Sequence, residues 1–106
     1  MRTAREFQRV YAEGRRRAGA LVVAYRLDRE GPARVGVVVG GRVGRAVVRN
    51  RVRRRIREAL GQLRLAPGQD LVVVARPAAA SASFWELRGE VEDLLRALGA
   101  VTEAEG

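Results

Sequence analysis

Residues 34–63 read RVGVVVGGRVGRAVVRNRVRRRIREALGQL, and three kinds of chain follow one another within them. Residues 34–39 are rich in valine, the β-branched composition that suits a strand. Gly40, Gly41 and Gly44 then break the apolar run, as glycines between elements do. From Arg45 onward the apolar residues take up helical spacing. With Val52 as the origin and about 100° per residue, Val48, Ile56, Ala59 and Leu63 fall within about 40° of it, with Leu60 at the edge of the stripe. The spacing predicts a strand, a glycine loop, and a helix over residues 45–63 that turns one face to a core. The polar flank of that helix is less ordinary. Arg49 lies at about 60°, Arg53 at about 100°, Arg57 at about 140°, Asn50 at about 160° and Arg54 at about 200° on the same wheel. Arg51 and Arg55 fall on the opposite flank. Like charges at i, i+4 cost an isolated helix about a few tenths of a kcal/mol per pair. The one acid in the segment, Glu58, is not on this stripe. A phosphate backbone lying against the stripe relieves the repulsion; a solvated face with accidental basic bias is the alternative.

Outward from that segment, the signals alternate between helix and strand. Thr3-Ala-Arg-Glu6 has the form of a capping box, and Phe7, Val10 and Tyr11 follow at i, i+3, i+4 on a short helix that Gly14 stops. Arg15-Arg16-Arg17 is a basic triplet suited to a short strand. Residues 20–28 (ALVVAYRLD) form a second apolar, β-branched run. Gly31 and Pro32 supply turn chemistry before residue 34, so residues 20–28 and 34–39 are expected to pair as an antiparallel hairpin. Residues 66–70 read as a loop and residues 71–76 (LVVVAR) as a strand ended by Pro77. Ser83-Phe-Trp-Glu86 is a second capping box. Phe84, Leu87, Val91, Leu94, Leu95 and Leu98 mark a final amphipathic helix with Gly99 as its stop. The order implies an α/β (α+β) two-layer sandwich, one sheet carrying helices. Residues 1–100 are expected to form a single RNA-binding domain and residues 101–106 a frayed tail.

Charge narrows the class of partner. The chain has 106 residues, 47% of them apolar, with 21 basic and 12 acidic side chains. Every basic residue is arginine, whose planar fork grips phosphates bidentately and stacks on bases. Residues 1–57 hold 17 arginines and 4 acids, a net +13, whereas residues 58–106 hold 4 arginines and 8 acids, a net −4. The basic surface therefore belongs to the first half, and an excess of this kind points to a polyanion. The chain has neither cysteine nor histidine, which removes disulfides, Cys/His zinc sites, thiol nucleophiles and imidazole catalysis. No apolar run approaches the roughly 20 residues that cross a bilayer, and no apolar leader opens the chain. The expected location is cytoplasmic.

The stretch from Arg34 to Arg57 resembles the signature of the bacterial ribonuclease P protein family: a strand with R-x-G, a basic loop ending in glycine, then A-V-x-R-N-R-x-[KR]-R-x-[IL]-R on a helix. Arg49, Asn50, Arg51, Arg53, Arg54 and Arg57 match the helical part position for position. The resemblance extends upstream through Phe7, Val10, Tyr11, Gly14 and Tyr25, and downstream through residues 70–76. It departs in two places. Gly40-Gly41-Arg42 stands where the family commonly has Ser-Lys-Lys, and only Arg2 and Arg5 remain of the basic stretch that usually precedes the first helix. The resemblance implies a ribosomal protein S5 domain 2-like fold, a four-stranded sheet with three helices and a left-handed βαβ crossover. General topology rules would favour the right-handed form.

The resemblance further implies a protein subunit of ribonuclease P that binds the catalytic RNA and the 5′ leader of precursor tRNA, promoting endonucleolytic removal of the leader. Arg49, Asn50, Arg51, Arg53, Arg54, Arg57, Arg42 and Arg45 are the expected RNA-binding residues; Arg51 either shares that role or braces the helix. Phe7, Tyr11 and Tyr25 resemble the aromatics of the family's leader cleft. Core packing is the alternative for Phe7 and Tyr11, and Tyr25 could point to either sheet face. Trp85 is read as a packing residue at a helix start, with a platform for a base as the alternative. No catalytic residue and no metal site is expected in the protein. Glu86, Glu90, Glu92 and Asp93 are read as a solvated helix face, and Mg²⁺ is expected in the RNA subunit. No membrane or DNA partner is expected. A ribosomal or other structural RNA-binding module without a processing role is the competing reading.

Overall fold

A computed structural model describes residues 3–102 of the chain. The first helix, α1 (Ala4–Glu13), opens with the expected capping box between Thr3 and Glu6. Two strands follow, β1 (Arg15–Ala18) and β2 (Val22–Asp28). The valine-rich segment forms β3 (Arg34–Val38), and the arginine-rich one α2 (Ala46–Gly61). The last strand is β4 (Gln69–Ala75) and the last helix α3 (Phe84–Ala97), which begins at the Ser83–Glu86 capping box. Short 3-10 turns at Gly41–Val43 and Pro77–Ser81 were not expected from the sequence.

The four strands form one sheet in the order β1-β2-β4-β3. The expected hairpin between β2 and β3 is therefore incorrect: β4 lies between them, antiparallel to β2 and parallel to β3. Leu71, Val72 and Val73 of β4 are fully buried, and a strand apolar on both faces gains most from a central position. The turn of residues 29–33 passes over the start of β4 instead of closing a hairpin. Arg29 N–H donates to Gly68 O at 2.9 Å, and Gly68 N–H donates to Gly31 O at 2.7 Å. Both glycines hold positive φ, 101° at Gly31 and 81° at Gly68, which a side chain would resist. The strand expected to begin at Leu71 starts earlier, taking in Gln69 and Asp70.

Because side chains alternate across a strand, the register separates two faces. Val22 and Ala24 of β2, and Leu71, Val73 and Ala75 of β4, join Val52, Ile56 and Leu60 of α2 and Leu87, Val91 and Leu95 of α3 in one core. Helix α1 lies across the other face. Its Val10 is fully buried, and Phe7 lies so close over Gly36 that a Cβ there would come within 2.4 Å of the ring. The crossover β3–α2–β4 joins adjacent parallel strands. The tail expected to fray from residue 101 is held at its start, where Val101 bridges Leu65 and Thr102 N–H donates to Arg64 O at 2.7 Å. Residues 103–106 and Arg2 lie outside the described residues.

Candidate nucleic-acid interface

The wheel drawn from the sequence maps onto α2 with its two flanks doing different work. On one flank Arg51 Nη2 donates to Ala80 O at 3.2 Å and Arg55 Nη1 to Ala82 O at 2.9 Å. These bonds tie α2 to the Pro77–Ser81 turn ahead of α3, so Arg51 braces the helix. The other flank carries Arg49, Asn50, Arg53, Arg54 and Arg57. Arg53 Nη1 donates to Asn50 Oδ1 at 3.0 Å, which leaves both side chains along the helix surface. Asn50, Arg54 and Arg57 are exposed, Arg49 and Arg53 half-buried. Among the described residues, no α2 arginine forms an ion pair. The acids that are paired neutralise arginines elsewhere. Unpaired guanidinium groups along one edge make a surface that attracts phosphates.

Arg42 and Arg45 precede this flank and are also exposed. Arg42 belongs to the 3-10 turn whose Val43 is buried at 6% exposure. A Cβ at Gly40 or Gly41 would meet nothing within 4 Å, so the loop has room for the larger basic side chains that the resemblance expects. Arg45 is the N-cap of α2 and offers no side-chain cap.

The three aromatics converge on the α1 face. Tyr25 points to the side of α1, and its ring meets that of Tyr11 edge-on, with centroids 4.9 Å apart and planes at 69°. This geometry suits the ring quadrupoles. Burial, with a smaller push from Tyr25, raises the pKa of the Tyr11 hydroxyl. Phe7 rests on Gly36 and its remaining surface lines a cavity of about 260 Å³ with Val35, Val37, Leu60 and Arg57. Phe7 is thus both anchored and accessible, and the cavity wraps the free edge of β3 to join α1 to the arginine flank of α2. All three rings are half-buried.

Asp70, expected in a loop, lies in β4 and is the hub of a charged network. It is 4% exposed and accepts from Arg34 Nε at 2.8 Å, Arg34 Nη2 at 2.7 Å and Arg29 Nε at 2.7 Å. Arg34 also reaches Glu6 at 2.7 Å, so the network fastens α1 to β3 and β4. The Arg34 hydrogen bonds, then Arg29, hold Asp70 below the usual carboxylate range against the opposing effect of burial. No local periodicity signals this role; only the pairing of β3 with β4 brings the charges together.

Of the four α3 acids expected on a solvated face, Asp93 is exposed and the other three have structural partners. Glu86 completes its capping box, and Glu92 pairs with Arg88 and Arg96. Glu90 accepts from the backbone N–H groups of Ala20, Leu21 and Val22 at 3.0, 2.7 and 2.7 Å. No group of three or more His, Cys, Asp or Glu among the described residues is placed to hold a metal ion. Trp85 departs from expectation as well: it is 71% exposed and touches Phe84 edge-on instead of filling a core position.

Comparison with known proteins agrees with this arrangement. A family profile described as ribonuclease P matches residues 1–99. The ribonuclease P protein component of Symbiobacterium thermophilum is 45% identical over 97 residues, covering 88% of this chain and 84% of the relative. That of Acidothermus cellulolyticus is 44% identical over 112 residues, covering 100% of this chain and 92% of the relative. Among solved structures, the Staphylococcus aureus RNase P protein superposes with a TM-score of 0.86 at 25% identity, over 96% of each chain. The Thermotoga maritima RNase P protein gives 0.82 at 26% identity, over 100% of this chain and 97% of the other. With the sequence signature, the sheet order and these likenesses in agreement, the chain belongs to the ribonuclease P protein family and is a protein component of ribonuclease P.

Proposed function

We propose that this chain holds the catalytic RNA of ribonuclease P along the arginine flank of α2 and receives the 5′ leader of precursor tRNA in the cleft beside α1. The observation that carries this reading is the one-sided array of Arg49, Asn50, Arg53, Arg54 and Arg57, whose arginines form no ion pair with any described acid. Arg42 and Arg45 extend the array at the helix start. Phe7, Tyr11 and Tyr25 offer ring surface to unpaired bases, and such stacking contributes about 1–3 kcal/mol per base whatever its identity. That tolerance suits an enzyme that processes many different leaders.

The protein contributes binding and the RNA subunit the chemistry. Phosphodiester hydrolysis calls for a metal-activated water or a general base. The chain has no histidine, and Glu6 and Asp70 are both engaged with Arg34. The Mg²⁺ ions of the reaction belong to the RNA, where the protein's cations lessen repulsion between two polyanions. The setting is cytoplasmic.

Reconstitution tests this. The protein combined with a bacterial ribonuclease P RNA should cleave precursor tRNA at Mg²⁺ concentrations where the RNA alone is poor, and the protein alone should cleave nothing. No gain over the RNA alone would refute the proposed role.

A further inference from the structure

The leader cleft has two ends, and the array on α2 accounts for only one of them. At the β3 end Arg57 and Phe7 line one cavity. From there the α1 face of the sheet continues past the aromatic flank of the helix. In register, Val38 pairs with Val74, Val74 with Val23, and Val23 with Ala18. Val38 and Val74 are half-buried, so this strip forms an apolar floor beside the wall made by Phe7 and Tyr11. On the outer strand Arg16 pairs with Tyr25 and, since paired residues share a face, projects on the same side as the Tyr11–Tyr25 pair. Arg16 is exposed, with no hydrogen bond or ion pair among the described residues. Its neighbours face the other way: Arg17 pairs with Ala24 of the opposite core, and Arg15 donates to Leu98 O.

We propose that Arg16 is a second phosphate clamp, holding the part of the leader strand that has crossed the sheet beyond Tyr11 and Tyr25. Three strand spacings separate β3 from β1, about 14 Å, so a single strand entering at Arg57 and stacking on the rings reaches Arg16 only if it is long enough. Cationic ends with an aromatic middle form the arrangement that single-strand grooves use. The inference rests on the leader reading above and adds a residue on another element, together with a dependence on leader length.

The test uses the holoenzyme, assembled from this protein and its ribonuclease P RNA, and precursor tRNAs with leaders of about two and about eight nucleotides, the latter within the span such grooves engage. Arg16→Ala should weaken binding of the long-leader substrate by about fivefold and lower its salt slope by about one unit, while leaving the short-leader substrate unchanged. Arg17→Ala removes the same charge from the other face and should change neither. Equal losses for the two variants, or an Arg16→Ala enzyme that matches the unmodified one on both substrates, overturn the clamp. Affinity of the unmodified holoenzyme that ignores leader length would overturn the clamp and the leader reading together. Matching thermal melts establish that the variants fold.

Discussion

Replacing Asp70 with asparagine keeps the shape of the side chain and removes the charge on which the Glu6–Arg34–Asp70–Arg29 network converges. Three N–H groups of two arginines point at the carboxylate, and an amide presents its own N–H₂ to at least one of them. Breaking a buried ion pair from one side costs about 3–5 kcal/mol. Arg34 keeps Glu6 and is 38% exposed, and Arg29 keeps the Glu30 and Pro32 carbonyls. Both cations thus retain other partners, which puts Asp70→Asn at the lower end, about 3 kcal/mol, or a fall in Tm of about 15 °C. Urea unfolding followed by circular dichroism should show a lower midpoint with an unchanged slope. The pH dependence has a definite sign. A carboxylate whose folded pKa lies below its unfolded value stabilises the fold above the unfolded value, about pH 4, and that contribution is lost as the pH falls through the folded value. The gap between the natural protein and Asp70→Asn should therefore be full at neutral pH and close in acid. A loss under about 1 kcal/mol, the value of an exposed pair, would refute the assignment of Asp70 as a buried hub.

Two further expectations separate binding from bracing. Arg57→Ala should lower the salt dependence of RNA binding by about one unit with little change in stability. Arg55→Ala should leave that slope unchanged yet cost about 1.5–3 kcal/mol by losing its bond to the Ala82 carbonyl; filter binding over a salt series with parallel melts checks both. Glu90→Gln leaves one carbonyl oxygen for the three amides of Ala20, Leu21 and Val22. It should cost about 1–3 kcal/mol, with hydrogen exchange accelerating at those three amides first.

How much of this was legible beforehand follows from the range over which each signal acts. Both capping boxes and the stop at Gly99 were readable, because a cap is a contract among residues three or four apart. The core stripe of Val52, Ile56 and Ala59 and the opposed arginine flanks were equally readable, since helical periodicity alone sets which residues share a side. The aromatics Phe7 and Tyr11 could be placed on one helix face, though not matched to a partner, and local spacing does not choose between packing and exposure for Trp85, which is mostly exposed.

The sequence by itself determined the three helices and four strands to within a few residues, their apolar faces and the concentration of positive charge on the helix after β3, because those depend on neighbours within a turn or two. Tertiary structure alone decided which strands are neighbours. A five-residue turn after Asp28 fits a hairpin as well as a step over another strand, and the choice went to the step because β4 buries both of its faces. That insertion delivers Asp70 to Arg29 and Arg34, sets Tyr25 under Tyr11 and brings Arg57 to Phe7 around the edge of β3. The cleft is a product of long-range pairing, which no local pattern encodes.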